Sequence, residues 1–133
     1  MPKIDVSYGE LLDKITILQI KKERLGNTWQ LNNIIHEESI LKTELGVVLR
    51  DEIISELFVR LLSVNYMIWD DMDIVFKLEG KWSDPNFQEA VRRTIDNNRL
   101  RAYIKRDIDI RMESHIKEAK SYFSNEDTSV LGS

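Results

Sequence analysis

Cysteine is absent from this 133-residue sequence, and helix-breaking residues are few, with two prolines and five glycines. The lack of cysteine excludes disulfide bonds, thiol catalysis and cysteine-based zinc sites. Proline and glycine are the residues that most strongly interrupt helices, so their scarcity predicts long helical segments.

Long apolar runs are also missing, since none approaches the roughly 20 residues needed to cross a bilayer. The first residues, Met1 to Asp5, lack the apolar core of a signal peptide. We therefore expect a cytoplasmic protein that does not associate with membranes. The formal net charge of -4 argues against nucleic-acid binding as a main function, because such binding depends on cations that neutralise phosphates.

Hydrophobic residues make up 42% of the chain and charged residues 32%, a balance typical of a soluble helical domain. The length suits one domain with its own core. We assign residues 1–122 to a single helical domain. The last eleven residues, 123–133, are polar and aperiodic, and we expect them to form a flexible tail.

Capping signals divide the chain into helices. Ser7 and Glu10 form a capping box that predicts the start of a first helix, and Gly26 marks its end. The second helix is predicted from near Thr28 to Gly46. Because only a short connection separates the two helices, they should be antiparallel.

Two longer helices are predicted in the second half of the chain. Asp51 is a favourable N-cap for a third helix, which should end near Glu79, with Gly80 as its stop. The Ser-Asp-Pro run ending at Pro85 opens a fourth helix, which the pattern continues to about Tyr122.

These signals predict an all-α fold, either a four-helix antiparallel bundle or two stacked helical hairpins, with long third and fourth helices. We expect a homodimer, because the long helices exceed what a small bundle can cover.

Polar residues interrupt the apolar seams of the two long helices. The third helix carries a stripe at alternating steps of four and three that includes Asn65, and the corresponding stripe of the fourth helix includes Asn98, Arg101 and Lys105. A buried amide without partners costs about 1–3 kcal/mol, and an unpaired buried cation costs several. These side chains must therefore meet one another or line a wet cleft.

Two interpretations of this cluster remain open. In the first, Arg101 and Lys105 hold a phosphate or carboxylate, Asn65 and Asn98 orient the ligand, and Trp69 stacks on it. In the second, the two cations form a buried network that fixes helix register, with partners among the following acids: Asp70, Asp73 and Asp109.

Acidic residues form two pairs at a spacing of three, Glu10 with Asp13 and Asp70 with Asp73. This spacing places both carboxylates of a pair on one helix face, and two facing pairs could hold Mg²⁺ through oxygen ligands. If the protein performs chemistry, Asp13 and Asp73 are the candidates for metal ligands or a catalytic base. We otherwise expect no cofactor.

Several stretches resemble a bacterial and phage protein family of unknown function. They are Val6–Arg24 with its Gly-Glu-Leu-Leu-Asp-Lys-Ile-Thr-Ile-Leu run, Val64–Trp69 with Asp73, Asn98–Arg106 and Lys120–Tyr122. The resemblance supplies no activity. It implies that nine residues belong to one family pattern: Glu10, Asp13, Lys14, Asn65, Trp69, Asp73, Asn98, Arg101 and Lys105.

We therefore expect a small helical protein that binds an anionic small molecule, such as a nucleotide or sugar phosphate, in an interhelical polar pocket. The expected ligand-binding residues are Asn65, Trp69, Asn98, Arg101, Lys105 and Lys14. The alternative is a non-catalytic structural or adaptor module, in which the polar cluster specifies assembly. The sequence leaves open whether the protein is an enzyme.

Overall fold

The computed structural model describes residues 1–25, 31–46 and 48–131, with the side chains of residues 41, 44 and 114–131 left out. Within these ranges the chain forms four α-helices and one short 3-10 helix, without strands, which confirms the all-α prediction. The α-helices are α1 (Tyr8–Arg24), α2 (Leu31–Leu45), α3 (Glu52–Lys77) and α4 (Pro85–Leu131), and the 3-10 helix spans Val48–Arg50.

Helix α1 begins where the capping signal predicts. The Ser7 hydroxyl accepts a hydrogen bond from the Glu10 backbone N–H at 3.2 Å. The Glu10 side chain, predicted to complete the capping box, forms an ion pair with Lys105 Nζ at 2.6 Å instead. The predicted stop at Gly26 lies outside the described residues, and the last helical residue is Arg24.

Helix α2 packs on α1, and its buried side chains include Ile34, Leu45 and a glutamate, Glu38. The Glu38 carboxylate contacts Lys22 Nζ of α1 at 3.0 Å and Lys42 Nζ of its own helix at 3.1 Å. The predicted start of this helix near Thr28 lies outside the part of the chain that the structure describes.

Helix α3 begins after Asp51, as predicted. Asp51 Oδ1 accepts hydrogen bonds from the backbone N–H groups of Ile53 and Ile54 at 2.9 and 3.1 Å. Beyond the helix end, Gly80 adopts a φ of 89°, a left-handed conformation that glycine reaches without a steric penalty.

Helix α4 begins at Pro85, also as predicted, with the Asp84 carboxylate accepting from the Asn86 N–H at 2.8 Å. Its end was predicted wrongly, since the helix continues past Tyr122 to Leu131. No glycine or proline lies between Tyr122 and Leu131, and this is the sequence feature that permits the continuation. The flexibility of the residues assigned to a tail stays a prediction.

Helices α3 and α4 pack against each other along the molecule, and α1 packs on both of them as well as on α2. The result is an α3–α4 hairpin covered on one side by the α1–α2 pair. The main apolar core lies between α1, α3 and α4, and its fully buried members include Leu12, Ile15, Ile54, Leu61 and Ile108. None of the described helices combines the length and apolar character needed to span a membrane.

Candidate functional site

A buried carboxylate from α1 is at the centre of the polar cluster. Asp13 is 4% exposed and accepts three hydrogen bonds from two other helices. Arg101 Nε donates to its Oδ1 at 2.8 Å and Arg101 Nη2 to its Oδ2 at 2.5 Å, a bidentate pair that joins α1 to α4. Asn65 Nδ2 of α3 donates to Asp13 Oδ1 at 2.9 Å. One carboxylate therefore connects three helices.

The buried amide of Asn65 is 4% exposed and has a second partner on α1. Its Nδ2 also donates to the Thr16 hydroxyl at 2.7 Å, and that hydroxyl donates to the Asp13 carbonyl oxygen at 2.6 Å. Thr16 was not among the predicted site residues. Its position three residues after Asp13, on the same helix face, is the signal that could have indicated it.

The second cation of α4, Lys105, also binds acids of α1. Its Nζ lies 2.6 Å from Glu10 Oε1 and 3.9 Å from Asp13 Oδ2. The predicted partners of Arg101 and Lys105, namely Asp70, Asp73 and Asp109, were therefore wrong. Helix α1 packs against α4 directly, and this contact brings the α1 acids to the two cations.

The neighbours of Asp13 determine its charge state. Burial raises the pKa of this carboxyl, but the hydrogen bonds from Arg101 and Asn65, with the positive charges of Arg101 and Lys105, outweigh burial and hold the pKa below its usual value. The carboxylate in turn raises the pKa of the Arg101 guanidinium. A general base at neutral pH needs a pKa near 7, so the shift at Asp13 opposes the catalytic role considered for it.

Next to this network, a cleft of about 350 Å³ opens between α1, α3 and α4. Its polar wall contains Asn65, Arg101 and Asp73. The remaining lining is apolar and aromatic: Ile17, Ile20, Ile68, Trp69, Met72 and Phe76. A largely apolar, concave surface with a few polar groups is the usual composition of a small-molecule site.

Four of the residues that the sequence indicated, Asn65, Trp69, Asp73 and Arg101, line this one cleft. Asn98 does not join them. It is exposed, and its Nδ2 donates to the Thr94 carbonyl oxygen of its own helix at 3.0 Å. The buried line of α4 passes through Ile108, and at about 100° per residue Asn98 lies roughly 80° away from that line.

Lys14 also lies apart from the cleft lining. It is exposed, and its Nζ contacts Glu37 Oε1 of α2 at 3.5 Å. The predicted role of Lys14 in ligand binding therefore has no geometric support.

Three of the four acids predicted for Mg²⁺ are engaged with cations. Glu10 and Asp13 contact Lys105 and Arg101, and Asp70 Oδ1 lies 3.2 Å from Arg24 Nη2. Among the side chains that the structure describes, no three metal-ligating His, Cys, Asp or Glu residues come together. A metal ion at either pair would have to replace these ion pairs.

A close approach of backbones supports the α1–α4 contact. The Gly9 N–H donates to Asp109 Oδ1 at 2.7 Å, and a Cβ placed on Gly9 would lie 2.5 Å from the Lys105 carbonyl oxygen. Only a residue without a side chain fits here. Gly9 could not be singled out from the sequence, because a glycine in a first helical turn carries no signal of a distant contact.

No protein-family model matches this chain, and no curated protein or solved structure is significantly similar to it. The resemblance to a bacterial and phage family of unknown function therefore stays a prediction.

Proposed function

We propose that this protein binds an anionic small molecule in the cleft between α1, α3 and α4. The observation that carries the proposal is the position of Arg101, a partly buried cation on the wall of an otherwise apolar cleft. Its two bonds to Asp13 use Nε and Nη2, and the Nη1 amino group remains outside this pair. A guanidinium can hold one carboxylate on each of its two edges, since it has five N–H donors in a fixed plane.

The rest of the cleft suits a ligand with an apolar or aromatic body. Trp69 provides a flat surface for stacking, and Met72 supplies an adaptable side chain beside it. Asp13 holds the Arg101 side chain in one orientation. This preorganisation lowers the entropy lost when a ligand binds.

The alternative proposal is a structural or adaptor module that assembles with a second copy. The observation in its favour is that Asp13, Asn65 and Thr16 satisfy one another and Arg101 without a ligand. Large apolar side chains on the outer faces of the long helices would supply an interface, among them Val59 and Tyr103, which are 63% and 61% exposed.

A thermal-shift panel of nucleotides, sugar phosphates, nucleotide sugars and carboxylates, each with and without Mg²⁺, tests the first proposal. A ligand at 100 times its Kd contributes about 2.7 kcal/mol, which corresponds to a shift in Tm of about 10 °C for a domain of this size. We expect at least one anion to raise the Tm. If no anion changes the Tm and light scattering gives a stable dimer, the adaptor proposal replaces it.

Two matched variants connect the shift to the cleft. Arg101→Lys keeps the charge but removes the planar fork, so it should abolish the ligand-induced shift. Arg93→Lys makes the same change at a second bidentate pair of α4, with Asp71, whose residues do not line the cleft. It should lower the basal Tm but preserve the ligand-induced shift. Equal loss of the ligand response in both variants would contradict binding at Arg101.

A further inference from the structure

The polar groups of the cleft lie at its two ends rather than in one cluster. Asn65 on α3 lies beside Arg101 and marks one end. Asp73 is eight residues further along the same helix and lies near the other end, with Phe76 of the lining beyond it. At a rise of about 1.5 Å per residue, these two positions are about 12 Å apart along the axis of α3.

The wall between these two ends is apolar. Ile68, Trp69 and Met72 follow Asn65 along α3, and Ile17 and Ile20 of α1 face them across the cleft. A ligand that contacts both ends therefore needs an apolar segment long enough to cover this wall. A compact anion such as inorganic phosphate would reach only one end.

The charges at the two ends are opposite. Arg101 supplies N–H donors at one end, and its charge is already balanced by Asp13. Asp73 at the other end is exposed, and among the ion pairs of the described residues none involves it. A second negative charge on the ligand would meet the Asp73 carboxylate, whereas a cationic group there would form a favourable pair.

We propose that the ligand is an elongated zwitterion, with a carboxylate at Arg101, an ammonium group at Asp73 and an apolar chain between them. This inference rests on the proposed function, because it specifies the ligand of the same cleft. A single carboxylate can take the guanidinium edge that Asp13 leaves. A doubly charged phosphate can take the same edge, but it would add a second negative charge to a cleft that already contains the Asp73 carboxylate.

Nuclear magnetic resonance titrations of the full chain with simple probes test this assignment. The probes are 8-aminooctanoate, octanoate, octylamine, octyl phosphate and 4-aminobutanoate. We expect 8-aminooctanoate to bind with the lowest Kd, about threefold below that of octanoate, since an exposed ion pair contributes modestly. Octylamine and octyl phosphate should bind more weakly than octanoate, and 4-aminobutanoate is too short to reach both ends.

A charge-removing variant identifies the ammonium partner. Asp73→Asn should raise the Kd of 8-aminooctanoate until it equals that of octanoate, and should leave the Kd of octanoate unchanged or lower. Glu56→Gln removes the same charge from an exposed position of α3 outside the cleft lining and should change neither Kd. In each titration, the NMR signals of Trp69 and Met72 should shift as the probe binds, because both residues line the cleft.

The outcomes separate this inference from the proposed function. If octanoate or octyl phosphate binds as tightly as 8-aminooctanoate, or if Asp73→Asn has no effect, the zwitterion is wrong but anion binding stands. If octylamine binds most tightly, or no probe and no member of the anion panel binds, both proposals fall.

Discussion

Asp13 and Arg101 form a bidentate ion pair across 88 residues of sequence, and this pair joins the first helix to the last. The Asp13 side chain is 6% exposed and the Arg101 side chain 25%. Asn65 and Lys105 approach the same carboxylate from α3 and α4. The polar wall of the cleft is therefore organised around one acid of α1, and its geometry depends on how α1 sits on the α3–α4 hairpin.

Removing one member of this pair should lower the free energy of unfolding more than replacing both members with apolar residues. Arg101→Met leaves the Asp13 carboxylate buried without its main partner, and we expect a loss of about 3–5 kcal/mol in the free energy of unfolding. The double variant Asp13→Leu/Arg101→Met should recover most of that loss, because apolar groups of similar volume tolerate burial. Urea unfolding measures both.

Arg92→Met provides the control for this experiment. Arg92 is exposed, and its ion pairs among the described residues are with Glu89 and Asp96 of its own helix. Its replacement should change the stability little, since exposed pairs contribute little. A loss at Arg101→Met no larger than the loss at Arg92→Met would show that the buried pair does not stabilise the fold.

Acid should remove the stabilisation that Asp13 provides. The pKa of Asp13 in the folded protein lies below that of an unfolded aspartate, which is about 3.9. The folded state therefore binds the proton less readily, so its stabilisation is complete above the unfolded pKa and is lost as pH falls through the folded pKa.

The stability difference between the wild type and Asp13→Asn should accordingly be constant from about pH 5 to 7 and should decrease below about pH 4. Urea titrations across this range measure it. A difference that increases on acidification would mean that the folded-state pKa of Asp13 is raised rather than lowered.

Gly9 should tolerate no side chain. A Cβ at this position would lie 2.5 Å from the Lys105 carbonyl oxygen and 2.9 Å from Asp109 Oδ1. Because the first of these atoms belongs to the backbone of a packed helix, Gly9→Ala should lower the free energy of unfolding by about 1–3 kcal/mol. Gly46→Ala is the matched control, since a Cβ there has no atom within 4 Å. It should be neutral or stabilise by up to about 1 kcal/mol, and equal destabilisation of both variants would contradict the close α1–α4 approach.

Asp51 has two separable roles. Its Oδ1 caps α3, and its Oδ2 accepts a hydrogen bond from Arg111 Nε of α4 at 3.1 Å. Asp51→Asn keeps the cap and weakens the ion pair, so we expect a loss below about 1 kcal/mol. Asp51→Ala removes both and should cost about 1–2 kcal/mol. Thermal unfolding of the two variants distinguishes the roles, and identical losses would indicate that only the ion pair contributes.

Local signals predicted most helix boundaries because the groups that set them are neighbours in sequence. Ser7, Asp51 and Pro85 each act within one helical turn, and all three mark helix starts in the structure. The end of α4 was predicted wrongly because it depends on the absence of a stop signal, which is a weaker indication than a cap.

The candidate site was predictable only in part. The seam patterns indicated inward positions for Asn65 and Arg101, and both are at the polar wall of the cleft. The pattern assigned a single apolar face to α1, although this helix packs on three others and therefore buries Asp13 and Thr16 as well. It also assigned Asn98 to the interior, but Asn98 is exposed. The angle that separates Asn98 from the buried line of α4 is smaller than the turn of about 100° between successive residues, so a small error in the assumed rotation of the helix changes the assignment.

The sequence by itself determined the helical class, the starts of three helices and the presence of costly polar groups on the inner faces of the long helices, because each follows from residues within a few turns of one another. The tertiary structure alone decided which side chains form hydrogen bonds and ion pairs with these polar groups. The partners of Arg101 and Lys105 lie on α1, and the choice of these acids depends on the stagger and rotation of one helix against another. That arrangement results from the packing of the whole apolar core, so no local pattern records it.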